Sequence, residues 1–136
     1  MSAGAIARGA TGVVISGNCR DISEHRALSF PVYSRSHSTL GQSPFTRPSA
    51  VNIPITIRPR YPGLSNIAPE DEFPAVTVNP GDWIVADEDG VVCVPKGMED
   101  QVAELCEKGR AIDDLCMSDI KAGLGVQASF KKYRGK

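Results

Sequence analysis

The sequence predicts an α/β protein, because strand patterns and helix patterns alternate along it. An apolar, β-branched run at residues 13–15 leads through a polar turn at Gly17 and Asn18 into a helical pattern at residues 22–28, and residues 31–33 resume extended structure. Four further strand patterns and one long amphipathic helix follow. At 136 residues, the chain has the length of a single domain, and we interpret residues 1–136 as one.

Composition excludes several classes of protein. The net charge of −1 gives no overall positive field, so we expect no sequence-independent binding to nucleic acid. No apolar run approaches the ~20 residues of a membrane-spanning helix, so we expect no membrane partner. The four cysteines (Cys19, Cys93, Cys106 and Cys116) form no CxxC pair. Reduced, mostly buried thiols in a cytoplasmic protein are the preferred interpretation.

The first half of the chain divides into short predicted segments. Residues 1–10 are rich in Ala and Gly and resemble the end of a helix that stops at Gly9. Residues 34–50 are polar and predicted as a loop. Residues 51–57 are predicted to form a strand, and Pro54, which lacks an amide donor, places it at an edge or a bulge. Residues 58–74 contain four of the ten prolines and predict a long surface excursion.

The second half predicts a β region and then a helix. Strand patterns at residues 75–78, 83–86 and 91–94 are separated by turns at residues 79–82 and 87–90. A long helix is predicted from apolar residues at helical spacing, namely Val102, Leu105, Cys106, Ile112, Leu115 and Cys116. Residues 118–122 add a turn of helix that stops at Gly123, and we interpret residues 131–136 as a basic, solvated tail.

The strongest candidate chemistry lies where the first strand ends. In open α/β sheets, ligands gather at the carboxyl ends of strands, and Arg20 and Asp21 occupy such a place. A guanidinium can bind a carboxylate through two parallel hydrogen bonds. Asp21 could hold Mg2+, which needs only one or two protein carboxylates plus waters. A structural interpretation stays open, because Asp21 and Glu24 also have the spacing of a helix capping box.

Other candidate residues are less informative. The acidic stretch at residues 87–90 has the composition of a metal loop, but a hairpin turn accounts for it fully. His25 is expected on a helix surface or interface, and His37 in a polar loop. The sequence contains no GxSxG, P-loop, GxGxxG or HExxH motif.

Several segments, in the same order, resemble the RraA-like family, which includes 4-hydroxy-4-methyl-2-oxoglutarate aldolases and the regulator of ribonuclease E activity. The matching segments are residues 8–9, 12–15, 20–24, 26–28, 30–32, 51–54 and 80–91. Residues 118–124 look most like the fungal members. The resemblance extends over nearly the whole chain and is weakest at residues 58–74.

The resemblance implies a swivelling β/β/α fold, assembly into a homotrimer or higher oligomer, and class II aldolase chemistry. Such an enzyme uses Mg2+ or another divalent cation such as Mn2+, cleaves a C–C bond of a small 2-keto acid to give pyruvate, and also decarboxylates oxaloacetate. By analogy with the family, Arg20 binds and polarises the keto acid as the catalytic residue, Asp21 anchors the metal, and Glu24 supports its water shell.

One departure from the family pattern is expected to matter. The family's glycine loop, which offers backbone N–H groups to the substrate carboxylate, precedes the Arg-Asp pair, and by the family's spacing it falls before Met1. We therefore expect a chain that lacks the N-terminal part of the family fold. Two alternatives to a lyase follow: a protein-binding regulator of the ribonuclease-inhibitor type, and an inactive remnant.

Overall fold

A computed structural model of the chain describes residues 1–58 and 73–135. Helices and strands alternate along these residues in the order α1 (Ser2–Ile6), β1 (Val13–Cys19), α2 (Ile22–Ala27), β2 (Val32–His37), β3 (Ile55–Ile57), β4 (Val76–Val78), β5 (Trp83–Ala86), β6 (Val91–Val94), α3 (Glu99–Lys121) and α4 (Val126–Arg134). The chain divides into two compact units. The first comprises Met1–Pro80 and Ile84–Val92, and the second comprises Gly81–Trp83 and Cys93–Lys136.

The first unit is built around a parallel pair of strands. β1 pairs with β2 in a register that runs from Val13 opposite Val32 to Cys19 opposite His37, and α2 lies in the connection between the strands. The predicted succession of strand, helix and strand is therefore confirmed. Phe30, which follows α2, is the buried hydrophobic residue of this unit within the described part of the chain, at 6% exposure.

The predicted turn at Gly17 and Asn18 is wrong, because β1 continues through both residues to Cys19. The register shifts between Ile15 and Asn18, so the irregularity is accommodated inside the strand. An extra residue of this kind bends a strand without ending it. The predicted loop also begins too early, since β2 extends to His37. Pairing with the neighbouring strand outweighs the local turn preference in both places.

Two side chains connect β2 to other parts of the same unit. Arg35 donates from Nη2 to Ser16 Oγ at 3.0 Å and to the Arg58 carbonyl at 2.5 Å. The Tyr33 hydroxyl donates to the Ala86 carbonyl at 2.9 Å. These bonds join β2 to β1, to the residue after β3 and to β5.

β3 and β4 form a short antiparallel pair, with Ile55 opposite Val78 and Ile57 opposite Val76. β3 is shorter than the strand predicted at residues 51–57. Asn52 has a positive φ of 55°, and Pro54 cannot donate to a ladder, so the strand starts after both. Most of the predicted excursion at residues 58–74 lies outside the described residues.

The turn between β5 and β6 is the predicted hairpin. The Asp87 amide donates to the Gly90 carbonyl at 3.0 Å. Oδ1 of Asp87 accepts from the amides of Asp89 and Gly90, at 2.9 and 3.2 Å. This carboxylate oxygen thus stabilises the turn, as the hairpin interpretation requires.

The second unit contains a helical hairpin. α3 is the predicted long helix, and it runs without interruption through the extra turn to Lys121, after which Gly123 takes a positive φ of 97°. α4 packs on α3 through Ser129, which is fully buried and donates from Oγ to the Cys116 carbonyl at 3.3 Å.

The predicted basic tail is instead part of α4. Lys132 donates to Asp119 at 2.8 Å, and this hydrogen bond holds the pKa of the Asp119 carboxyl below its usual range. Arg134 pairs with Asp113 and lies over the Phe130 ring, 4.0 Å from its centroid. The basic residues Lys132 and Arg134 are therefore paired with acidic residues of α3. Lys136 lies outside the described residues.

The cysteines differ in exposure more than we expected. Cys116 is buried, Cys19 and Cys93 are half-buried, and Cys106 is exposed on α3. Burial, followed by the nearby Asp82 carboxylate, raises the pKa of the Cys93 thiol. No helix in the described residues combines the length and the apolar character that a membrane crossing needs.

The buried ring of Phe30 provides a test of the first unit. We expect Phe30→Ala to lower the free energy of unfolding by about 3 kcal/mol, because it removes a buried ring and leaves a cavity. Phe45→Ala is the matched control, since Phe45 is 68% exposed and its truncation should change stability by less than about 0.5 kcal/mol. Urea denaturation of both variants is the measurement, and equal losses would contradict the assignment of Phe30 to the core.

Candidate functional site

The turn between β1 and α2 carries the candidate site. β1 ends at Cys19, and Asp21 precedes the first residue of α2 with left-handed backbone angles, φ 63° and ψ 39°. Such angles cost ordinary residues roughly 1–2 kcal/mol, while Asp and Asn adopt them more readily than others. The Asp21 carbonyl accepts from the amides of Glu24 and His25, at 3.0 and 3.2 Å. The Asp21 backbone therefore starts α2.

The capping-box interpretation of Asp21 and Glu24 is wrong in this structure. The Asp21 side chain makes no capping hydrogen bond to the start of α2. Both of its oxygens instead lie 3.3 Å from Nε of Arg20. The carboxylate thus faces the neighbouring guanidinium, and only the backbone of Asp21 bonds to the first turn of the helix.

The terminal nitrogens of Arg20 lie next to this ion pair. Its contact with Asp21 involves Nε, and within the described residues its terminal nitrogens have no hydrogen-bond acceptor. A Cβ placed on Gly41 would come within 3.3 Å of Nη1, so the guanidinium extends over that glycine. The Arg20 and Asp21 side chains are 48% and 53% exposed. Both can therefore meet a ligand from solvent.

Glu24 lies on the first turn of α2. Its side chain is half exposed, and Oε1 is 3.9 Å from the amino group of Met1. Among the described residues, the structure records no direct contact between the Glu24 and Asp21 carboxylates. Glu24 is therefore near the pair in sequence but is not part of the Arg20–Asp21 contact.

His25 is the residue of this site that sequence reasoning missed. Its Nε2 is 2.6 Å from the Arg20 carbonyl oxygen, and its Nδ1 is 2.9 Å from Oγ of the buried Ser2. We expected a surface or interface residue, whereas His25 is half-buried and contacts the turn itself. The available signal was its position four residues after Asp21, because helical side chains lean back over the preceding turn.

A cleft of about 510 Å³ lies in the same unit, beside α2 and the β1–β2 pair. Residues that line it include Cys19 and His37, which face each other at the carboxyl ends of the two parallel strands. His37 thus lies at the end of β2 rather than in the predicted polar loop. The cleft and the Arg20 turn thus both lie at the carboxyl-end edge of the β1–β2 pair, which is where ligands bind in α/β proteins.

A metal ion at this turn would have few protein ligands among the described residues. In the described part of the chain, no group of three or more His, Cys, Asp or Glu side chains could hold a metal ion. A closed four-ligand site of the zinc type is thus absent from those residues. Magnesium commonly retains several waters and uses one or two carboxylates, and the half-exposed Asp21 meets that requirement.

The comparison with known sequences identifies the family to which this chain belongs. The sequence pattern of the RraA-like family, described as Aldolase/RraA, matches residues 1–93. The chain belongs to the RraA-like family. The match includes β1, α2 and β2, and with them Arg20, Asp21 and Glu24.

Two relatives support the assignment to the RraA-like family. A Halalkalibacterium halodurans protein named "Putative 4-hydroxy-4-methyl-2-oxoglutarate aldolase" is 34% identical over 106 residues, which cover 78% of this chain and 42% of that protein. The crystal structure of an uncharacterized protein from Pseudomonas syringae pv. tomato is 26% identical, with a TM-score of 0.78, over 98% of this chain and 55% of that one. The chain thus spans about half the length of these relatives. Its mixture of helices and strands is that of an α/β protein of the RraA-like type.

The left-handed backbone at Asp21 leads to a stability prediction. Asp21→Asn should leave the free energy of unfolding nearly unchanged, because Asn also tolerates these angles and the lost carboxylate caps no helix. Asp21→Ala should be less stable than Asp21→Asn by about 1 kcal/mol, since Ala pays the steric cost of positive φ. Urea denaturation of the two variants tests this, and equal stability would show that the backbone at residue 21 is not left-handed in solution.

Proposed function

We propose that this chain carries the metal- and substrate-binding turn of a divalent-metal-dependent lyase of the 4-hydroxy-4-methyl-2-oxoglutarate aldolase type. The proposed reaction cleaves a C–C bond of a 2-keto acid and yields pyruvate, and oxaloacetate would be decarboxylated at the same place. The main supporting observation is the Arg20–Asp21 pair at the carboxyl end of β1, whose terminal guanidinium nitrogens meet no acceptor in the described part of the chain. The family and the name of the Halalkalibacterium relative support the aldolase part of this proposal.

Arg20 would bind the substrate and stabilise developing charge. Its Nε is occupied by Asp21, which leaves two terminal nitrogens to donate to a carboxylate or to a ketone oxygen. These donors are fixed in one plane, so they can meet two oxygen atoms of a planar keto acid at once. Preorganised donors of this kind stabilise negative charge that forms on the ketone oxygen during bond cleavage.

Asp21 would hold the divalent cation, either Mg2+ or Mn2+, with Glu24 hydrogen-bonded to waters around it. When bound, the cation supplies Lewis-acid polarisation of the keto acid. The contact with Arg20 orients the Asp21 carboxylate, and the helix that starts at Ile22 fixes its backbone. Glu24 lies on the first turn of that helix and would support the water shell of the cation.

The proposed bond changes follow from the substrate. For the hydroxy-keto acid, a base takes the C4 hydroxyl proton, the C3–C4 bond breaks, and its electron pair moves toward the C2 ketone oxygen. The products are a ketone and the enolate of pyruvate, which is then protonated at C3. Oxaloacetate follows the same course with carbon dioxide as the departing fragment, and it needs no hydroxyl base. Arg20 stabilises the enolate oxygen in both reactions.

We also propose that the protein works as a homotrimer or higher oligomer. The supporting observation is apolar exposure on the β5–β6 hairpin, where Trp83 and Val92 are each 60% exposed and Val85 is 58% exposed. Apolar surface of this kind is typical of association sites. Light scattering coupled to gel filtration measures the oligomeric state, and a monomer at all accessible concentrations would contradict the proposal.

The proposed metal-binding role of Asp21 can be tested separately from its structural role in the turn. Asp21→Asn should abolish metal-dependent pyruvate release from oxaloacetate and from the hydroxy-keto acid, because a neutral amide replaces the anionic ligand. Assays with Mg2+ and with a chelator give the metal-dependent rate. Asp114→Asn, at an exposed position on α3, is the matched control and should keep full activity. Retained metal-dependent turnover in Asp21→Asn would contradict the assignment of Asp21 to the metal.

The role of Arg20 can be tested with the charge kept. Arg20→Lys should remove at least about 2 kcal/mol of transition-state stabilisation, which is measured as a lower kcat/KM. The reason is that lysine keeps the charge but loses the planar donors. Arg110→Lys on the exposed face of α3 is the control and should change neither kcat nor KM. Steady-state kinetics with both substrates is the measurement. An unchanged kcat/KM in Arg20→Lys would mean that Arg20 does not contact the reacting group.

A further inference from the structure

His25 connects the Arg20 turn to α1 through both of its ring nitrogens. Nε2 lies 2.6 Å from the Arg20 carbonyl oxygen, which can only accept, so Nε2 carries the hydrogen. Nδ1 lies 2.9 Å from Oγ of Ser2. In the neutral ring Nδ1 accepts from the Ser2 hydroxyl, and in the charged ring it donates to it. The two contacts are thus compatible with either protonation state.

The contact with Arg20 acts on the backbone of Asp21. The Arg20 carbonyl and the Asp21 amide belong to one planar peptide unit, so a hydrogen bond that fixes the carbonyl also fixes the orientation of the Asp21 amide. That orientation determines φ of Asp21, which is 63°. The next carbonyl, that of Asp21, is held by the amides of Glu24 and His25. The left-handed residue is therefore constrained on both sides, as strained residues must be in order to persist.

The other end of the imidazole is anchored in the interior. Ser2 is 4% exposed, and its hydroxyl holds Nδ1. His25 also lines the cleft beside α2, but both of its nitrogens are already engaged. It therefore offers no free donor or acceptor to a ligand there. Its geometry is that of a support for the turn rather than of an acid or base.

We propose that His25 is a positioning residue for the reaction. Through its Nε2–H bond to the Arg20 carbonyl, it sets the peptide plane between Arg20 and Asp21 and so the directions in which the two side chains leave the backbone. This inference rests on the proposed function of Arg20 and Asp21. A displacement of about 1 Å in such groups can reduce a rate on the order of a hundredfold, so a loss of this bond should be visible in turnover.

Two amide substitutions test this role. In His25→Gln the terminal amide nitrogen can occupy the place of Nε2 and donate to the Arg20 carbonyl. In His25→Asn the amide nitrogen reaches only the place of Nδ1 and leaves that carbonyl without its donor. Both variants remove the ring and keep an amide, and the two amides differ in whether their nitrogen can reach the Arg20 carbonyl. We expect kcat for pyruvate release to fall at least tenfold in His25→Asn and to stay within about threefold in His25→Gln.

A second readout does not depend on activity. In protein labelled with ¹³C and ¹⁵N, the amide-to-Hα coupling of Asp21 reports its φ, and the ¹³C shift of the Arg20 carbonyl reports its hydrogen bond. We expect both values to change in His25→Asn and to remain close to those of the unsubstituted protein in His25→Gln. An unchanged Asp21 coupling and Arg20 carbonyl shift in His25→Asn would overturn the inference, whatever the rates are.

The two hypotheses fail in different ways. If Arg20→Lys and Asp21→Asn lower turnover while His25→Asn and His25→Gln have equal kcat, the positioning role is wrong and the proposed function stands. If Arg20→Lys and Asp21→Asn leave turnover unchanged, the proposed function is wrong. In that case the proposed positioning role of His25 in the reaction is also wrong, even if the amide-to-Hα coupling of Asp21 changes in His25→Asn.

Discussion

Parallel strands cannot be joined by a tight turn, so the pairing of β1 with β2 requires a crossover, and residues 20–31 with α2 supply it. The crossover must leave β1 at its carboxyl end, and Arg20 and Asp21 are the first residues to do so. Chain direction there changes within two residues, which explains the left-handed backbone at Asp21. The candidate site is thus a consequence of strand pairing, and its chemistry depends on the two side chains that occupy the bend.

Most of the local structure could be predicted from the sequence, and the failures at β1 and at α4 share one physical cause. Periodicity predicted α2, α3 and the β5–β6 hairpin, because each depends on residues close together in the chain. β1 continues through Gly17 and Asn18 because β2 offers backbone partners, and a local pattern does not contain that information. The basic residues of α4 are likewise stabilised by Asp113 and Asp119, which lie 21 and 13 residues before their partners.

The candidate site was predictable in composition but not in geometry. The Arg-Asp pair was visible as two charged residues after a strand, and its family resemblance gave each a role. Spacing alone could not separate a capping Asp21 from one that faces Arg20, because both need the same residue type at the same place. The contact of His25 with the Arg20 carbonyl was not predicted, since it depends on the direction of one carbonyl group after folding.

Exposure limits what the Arg20–Asp21 pair can achieve by itself. Both side chains are about half exposed, and the interaction of charges in water is several-fold weaker than in a site from which water is excluded. In the proposed function, binding and orientation of a keto acid by the Arg20 guanidinium would therefore depend on how firmly the turn is held, because surrounding water imposes no geometry on the two side chains. The hydrogen bonds at the Arg20 and Asp21 carbonyls provide that rigidity from within this unit. Exclusion of water is a separate requirement, and surfaces brought by association of chains could supply it without any change in the turn.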